Sequence, residues 1–237
     1  IARLEAGTIS ELIVERAQDA GFVGNIYKGK IVRVLPGMQA AFVEIGLDRT
    51  AFLYVTEIAP ELALEEVIAQ EEGTSPERKL EKRSGRQMPQ IQDLVKEGQE
   101  IIVQIARDPI GTKGARLTSH VSLPGRFLVY MPTVNHIGVS KRIGDEKERS
   151  RLKSLIEKQR LENTGGFIAR TMSEGATLKD IKQDVEFLTK LWTDIDEKKK
   201  NVPAPTLLHS DLSVVLRAIR DLFTPDIDRI VIDSKEE

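Results

Sequence analysis

Between residues 25 and 58 the chain alternates short β-favouring runs with turn residues, and no other feature restricts its fold as much. The runs are 27–35, 39–45 and 51–55, separated by Pro36-Gly37 and Gly46-Leu47-Asp48. Segments of this length, rich in β-branched and aromatic residues and closed by Pro and Gly, read as antiparallel strands joined by tight turns. Two further strands follow at 100–106 and 114–119. Between them, 59–97 breaks the pattern. An acidic stretch (Glu61, Glu65, Glu66, Glu71, Glu72) precedes a basic one (Arg78, Lys79, Lys82, Arg83, Arg86), and little of it is suited to burial. It reads as a long mobile loop with a helical turn near 62–68. Five short strands with one long interruption after the third predict an OB-type β-barrel over 25–119.

Such a barrel has a functional side. Successive side chains point to opposite faces of a strand. If Ala41, Val43 and Ile45 fill the interior, Phe42 faces outward, and by the same alternation Phe52 joins it. A lone Phe in a strand is ordinarily core. Two outward rings on adjacent strands instead make a platform on which bases stack, with little preference for sequence. Lys28, Lys30, Arg33, Arg107 and Lys113 are the cations available to neutralise phosphates beside it. Read as a platform, this face suits single-stranded RNA, and core packing of both rings is the alternative that the residues alone leave open. The net charge of −2 neither demands nor excludes that partner, so the placement of positive charge decides.

The rest of the chain is of a different character. Residues 1–16 read as a hairpin turning at Ala6-Gly7, too small to be stable alone. Beyond Pro124 strands and helices alternate: strand 126–131, helix 144–162, strand 166–171 and helix 177–199. In the last of these, Leu178, Ile181, Val185, Leu188, Trp192 and Ile195 recur at helical spacing, and Thr177 with Asp180 forms an N-terminal cap of capping-box type. Trp192 on that apolar stripe reads as core. Pro203 and Pro205 close this unit, and a helix at 210–223 and a strand at 229–232 follow. The whole is an α+β multidomain chain.

Several chemistries are excluded or disfavoured. There are no cysteines, so there are no disulfides, thiolate zinc ligands or cysteine nucleophiles, which fits a reducing cytoplasm. No apolar run reaches the length needed to span a bilayer, so no membrane partner is expected. His120, His136 and His209 lack metal-ligand spacing, and there is no Gly-rich phosphate loop. Asp221, Asp226, Asp228 and Asp233 are the one carboxylate cluster near a strand, a weak candidate for a two-metal nuclease site. The first residue is not Met and the last strand stops as it forms, so a fragment is expected at both ends.

Longer motifs carry a resemblance. The run Gly29-Lys30-Ile31, Val34, Ala40 to Gly46, Ala51-Phe52-Leu53, Glu57-Ile58, Gly98 to Ile105 and Arg116 to Ser119 resembles an S1 RNA-binding domain. Gly24 to Lys30, Val34 to Val43, Asp108 to Thr118, Gly138 to Ile143 and Gly165 to Thr171 resemble the ribonuclease E/G family over nearly the whole chain. Leu35 to Met38 and Asp228 to Ser234 lean towards its ribonuclease G type.

The resemblance implies an S1 barrel at 25–119 and an α/β 5′-sensor domain at 120–206, both inserted in a partial RNase H-like subdomain formed by 1–24 and 207–237. It implies RNA contacts at Phe42, Phe52 and Lys113, and a pocket for a 5′ monophosphate at Gly125, Val129, Arg170 and Thr171. In that pocket the guanidinium and hydroxyl would bind phosphate oxygens, Gly125 would offer its N–H at close approach, and Val129 would meet the terminal base. It further implies a cytoplasmic, magnesium-dependent endoribonuclease of RNA processing and decay, homo-oligomeric at full length. Its catalytic metal domain lies outside this chain. On this reading the chain holds no catalytic or metal-binding residues, binds no magnesium itself, and is largely monomeric and inactive alone. The alternative is a non-catalytic S1 adaptor. A third reading, an RNase H-like nuclease using Asp233, requires cleavage by this chain by itself.

Overall fold

The computed structural model describes residues 1–15, 21–58, 89–111, 113–160, 165–223 and 227–233. The chain divides into two compact units, Phe22–Ser210, and Ile1–Gly21 together with Asp211–Glu237. The smaller unit begins with the antiparallel hairpin β1 (Ala2–Glu5) and β2 (Thr8–Leu12). Ala6 and Gly7 turn it with φ of 48° and 79°, the left-handed pair that suits the twist of a two-residue loop.

In the larger unit, β3 (Ile26–Leu35), β4 (Ala40–Glu44), β5 (Ala51–Tyr54), β6 (Glu100–Arg107) and β7 (Arg116–Thr118) form a closed barrel. The order is β3-β4-β5-β7-β6, and β6 returns to β3. Closure depends on the ten-residue length of β3. Its first half pairs with β6 and its second half with β4, with a register shift between Ile31 and Arg33. Ile31, Ala41, Val43, Ile45, Leu53, Val103, Ile105 and Leu117 fill the interior at no more than 1% exposure. Part of the expected loop is ordered. A short helix α1 (Ile91–Leu94) puts Ile91 and Val95 into the barrel core, so 91–95 are structural rather than a mobile connection. Residues 59–88, including the acidic and basic stretches and the helical turn expected near 62–68, lie outside the described residues.

A second layer follows the barrel. Strands β8 (Leu123–Pro124), β9 (Leu128–Met131), β10 (Ile137–Val139) and β11 (Gly166–Ala169) form a sheet in the order β10-β11-β9-β8, with β10 and β11 parallel. Helices α2 (Glu146–Gln159) and α3 (Leu178–Asn201) bury Leu152, Ile156, Ile181, Val185, Leu188 and Ile195 in the core they share with Leu128, Tyr130, Phe167 and Ala169. Trp192 is half-buried against that core. Asp145 caps α2, and Thr177 with Asp180 closes the capping box of α3 as expected.

The chain then returns to the barrel. Strand β12 (Thr206–His209) pairs antiparallel with the start of β3, an element no local pattern had announced. In the smaller unit, α4 (Val214–Leu222) is capped by Ser213, and its Arg217 pairs with Glu15 at 2.8 Å. Residues 229–232, expected as a strand, have no strand partner among the described residues.

Candidate nucleic-acid interface

The barrel's outer face carries the two phenylalanines as the alternation required. Phe42 on β4 and Phe52 on β5 are direct cross-strand partners, half-buried, with ring centroids 4.6 Å apart and planes at 51°. The row extends in both directions. Arg33 on β3 lies opposite Phe42, Arg116 on β7 lies opposite Phe52, and Arg107 on β6 lies opposite Arg116. Residues in register share a face. The row across all five strands is therefore Arg33, Phe42, Phe52, Arg116, Arg107: an aromatic centre flanked by guanidiniums. Arg116 was not singled out by sequence. It lies 5.2 Å from the centre of the Tyr54 ring and pairs with Glu57 at 2.7 Å, which fixes its fork beside the aromatic pair.

The other expected cations divide. Lys113 is exposed on the segment leading into β7, three residues before Arg116, where Arg49 donates to the Gly111 carbonyl and helps shape the turn. Lys28 does not face a ligand. Its ammonium donates to the Val202 carbonyl at 2.8 Å and pairs with Glu100 at 2.8 Å, and its side chain is only 13% exposed. Its charge is spent on holding the barrel to the segment that follows α3.

The second group of expected residues also assembles. Gly125 to Leu128 form the tight turn joining β8 to β9, with Gly125 N–H donating to the Leu128 carbonyl at 2.7 Å. Arg170 follows directly on β11 and reaches across the sheet, its Nη1 donating to the Gly125 carbonyl and to that of Arg126 at 3.4 Å. Val129 is paired with Ile168, so by alternation Val129, Ile168 and Arg170 share one face. Thr171 is exposed at the end of β11, its hydroxyl 3.5 Å from that of Ser140. Ser140 continues β10, the parallel neighbour of β11, and its hydroxyl also accepts from Arg142 N–H at 3.4 Å. Parallel pairing thus brings two chain ends rich in hydroxyl and guanidinium groups to one edge.

One expected role is corrected. Gly125 N–H is already used within the turn, so it is not a donor to a ligand. The glycine is required for another reason. A Cβ there would lie 2.5 Å from Oδ2 of Asp184, a buried acid on α3. Asp184 escaped the sequence reading, although it left a signal: an acid on the otherwise apolar stripe of Ile181, Val185 and Leu188.

Charge elsewhere is structural. Glu148 on α2 is held down to about 2 by Arg151, which donates to both its oxygens, and by the Gly175 N–H. Burial pushes the His120 imidazole below its usual range. Among the described residues no three His, Asp or Glu side chains come together as a metal site, and no helix is long and apolar enough to cross a membrane. Asp226 of the carboxylate cluster lies outside the described residues, and Asp221 pairs with Arg220.

Comparison with known proteins gives this geometry a lineage. A family model for the ribonuclease E/G family matches residues 122–237. Over 235 residues, 99% of this chain, the sequence is 43% identical to Ribonuclease G of Haemophilus influenzae and 42% identical to Ribonuclease G of Escherichia coli K12. It is 37% identical to Ribonuclease E of Haemophilus influenzae over 236 residues. The match covers 45% of each Ribonuclease G and 23% of that Ribonuclease E, so the chain spans less than half the length of these relatives. The matched segments include both the barrel row and the β9–β11 edge, and the chain belongs to the ribonuclease E/G family.

Proposed function

We propose that this chain is the RNA-capturing and 5′-end-reading portion of a magnesium-dependent endoribonuclease of the ribonuclease G type. The single observation that carries the reading is the row Arg33, Phe42, Phe52, Arg116, Arg107 across the barrel. Stacked bases need exposed π-faces, and the phosphates between them need cations at strand spacing; this face offers both. On this reading the barrel is an S1 domain, and hairpin β1–β2 with α4 belongs to a partial RNase H-like subdomain.

The edge formed by Arg170, Thr171, Val129 and the 125–128 turn is the pocket for a 5′ monophosphate. The Arg170 fork and the Thr171 hydroxyl supply charge-assisted and neutral bonds to phosphate oxygens. Gly125 contributes its carbonyl to Arg170 rather than an N–H to the ligand. Magnesium has no ligand set among the described residues. The reading places it in the part of the relatives' length that this chain does not span, along with the contacts that make the full-length enzyme a homo-oligomer. Taken alone, the chain binds RNA as a monomer without cutting it. The cellular setting that follows is cytoplasmic processing of ribosomal RNA and decay of messenger RNA.

Fluorescence anisotropy tests this with two unstructured RNAs, identical except for a 5′ monophosphate or a 5′ hydroxyl. The expected result is tighter binding of the monophosphate, with Arg170→Ala abolishing only that difference. Equal binding of both by the unaltered chain, with Phe42→Ala weakening both, refutes the sensor and leaves an S1 adaptor.

A further inference from the structure

We propose that Asp184 is the positioning residue for Arg170, acting through the three peptide units that join residues 125 to 128. This rests on the reading of Arg170 as the phosphate-binding group. The carboxylate of Asp184, 9% exposed, accepts from the N–H groups of Arg126 at 3.2 Å, Phe127 at 2.8 Å and Leu128 at 2.7 Å. The carbonyls of those same peptide units belong to Gly125, Arg126 and Phe127. All three accept from Arg170: the first two from its Nη1, the third from its backbone N–H at 2.8 Å. Each of the three peptide planes thus has a carboxylate at its N–H end and Arg170 at its C=O end.

This is an ion pair conducted through backbone. A carboxylate on the N–H side polarises each amide and makes its carbonyl a better acceptor, and hydrogen bonds in series strengthen one another. It also fixes the direction of the planes. Leu128 N–H, which in a simple turn donates back to the Gly125 carbonyl, goes to Asp184 and leaves that carbonyl for the guanidinium. Two of the guanidinium's directions are set by these carbonyls, which orients the fork that a phosphate would meet. Gly125 completes the device, because any larger residue pushes its Cβ into the carboxylate.

Asp184→Asn replaces one acceptor oxygen by an NH2 group that faces N–H donors, so the planes turn and Arg170 loses its two carbonyl anchors. The same anisotropy pair reads the effect. The ratio of 5′-hydroxyl to 5′-monophosphate dissociation constants should fall by roughly tenfold, the size of one charge-assisted hydrogen bond. Binding of the 5′-hydroxyl RNA, which depends on the barrel, should stay within about twofold, since no contact to the barrel row is altered. Asp184→Glu, which keeps the charge, should recover part of the ratio.

A folded Asp184→Asn chain that retains the unaltered ratio overturns the proposal while leaving the sensor intact. No ratio in the unaltered chain defeats the sensor reading itself. Should Asp184→Asn fail to fold, amide NMR of Arg170→Ala decides. Removing the guanidinium should move the amide protons of Arg126 and Phe127, on the far side of the two planes it anchors, to higher field, while that of Leu128, whose plane keeps its bond from the Arg170 backbone N–H, should move least. Unmoved or downfield-shifted protons of Arg126 and Phe127 overturn the relay.

Discussion

Replacing Phe42 and Phe52 singly and together by alanine tests whether the barrel's aromatic pair is a binding surface or only packing, because the two roles differ in size and in observable. Both rings are half-buried and sit on the outside of strands whose inner faces remain filled by Ala41, Val43 and Leu53. Truncation therefore opens no closed cavity. What stability loses is part of the ring's burial and the ring–ring contact at 4.6 Å. Such a contact is worth about 0.5–1.5 kcal/mol, so the loss should be well short of the roughly 3–5 kcal/mol of a core Phe. What binding loses is a stacked base, about 1–3 kcal/mol for each ring. That range corresponds to about 5- to 150-fold in Kd.

The assay is anisotropy of a labelled 5′-hydroxyl oligonucleotide, with urea denaturation of the same variants to confirm that the protein is folded during titration. Because the rings touch, the double variant should cost less than the sum of the singles, each single already having disturbed the shared platform. The reasoning is refuted if either single variant binds RNA within about twofold of the unaltered chain while losing core-sized stability. The phenylalanines would then be packing residues that happen to lie outside.

Other outcomes follow from the same geometry. Arg33→Gln should lower the slope of log K against log salt by about 0.7, one phosphate's worth on a single strand, whereas Lys28→Gln should leave the slope unchanged because its ammonium is bound to Glu100 and Val202. A salt titration separates the two. Gly114→Ala should destabilise the barrel by more than about 2 kcal/mol in urea melts, since its Cβ would meet the Thr50 carbonyl oxygen at 1.9 Å, a backbone atom with no rotamer to yield. The Glu148 carboxyl is depressed from 4.5 to about 2 in the fold. Its contribution to stability is therefore complete above pH about 4.5 and lost as the pH falls through about 2, so thermal melts of Glu148→Gln should lie below the unaltered chain at pH 7 and converge with it near pH 2. For RNAs of increasing length, affinity of the monophosphate series should step upward where one molecule first reaches both sites, while the hydroxyl series rises without a step.

What was legible in the sequence was whatever local periodicity records. The alternation in Ala41, Phe42, Val43 placed the rings outside, and the 3.6-residue stripe with the Thr177–Asp180 cap placed α3, because both patterns are set by neighbours along the chain. The misses are tertiary. Strand β12 is four residues whose only warrant is the free edge of β3, some 180 residues earlier, and nothing local requires it. The strand expected at 229–232 has the right composition and no edge to pair with among the described residues. Lys28 looked like a phosphate ligand because sequence reports charge and not what a folded neighbour has done with it. Gly125 was singled out for close approach to a ligand, whereas in the fold its missing side chain makes room for Asp184.

The two candidate sites belong to one compact unit, and the way that unit is joined matters for how they act. Ile26 of β3 and Leu208 of β12 are buried with Leu128, Phe167 and Val185 in the core of the second layer, so one hydrophobic cluster spans the seam between barrel and sheet. Lys28 reaches from β3 to Val202, and Lys198 on α3 donates to the carbonyls of Leu207 and Leu208 at 3.0 and 2.9 Å. Apolar burial of this kind resists sliding, and the lysines fix the register. On the proposed reading, the barrel face would take any single strand and the Arg170 edge one terminal group, and each would be unselective or weak alone. Held at a fixed separation, the first binding event would raise the effective concentration of the RNA's end at the second, and the monophosphate's advantage would scale with that concentration relative to the pocket's own Kd. A flexible tether would dilute that gain, so on the proposed reading the short β12 return strand, with Lys28 of β3 and Lys198 of α3 bonded around it, would serve both sites.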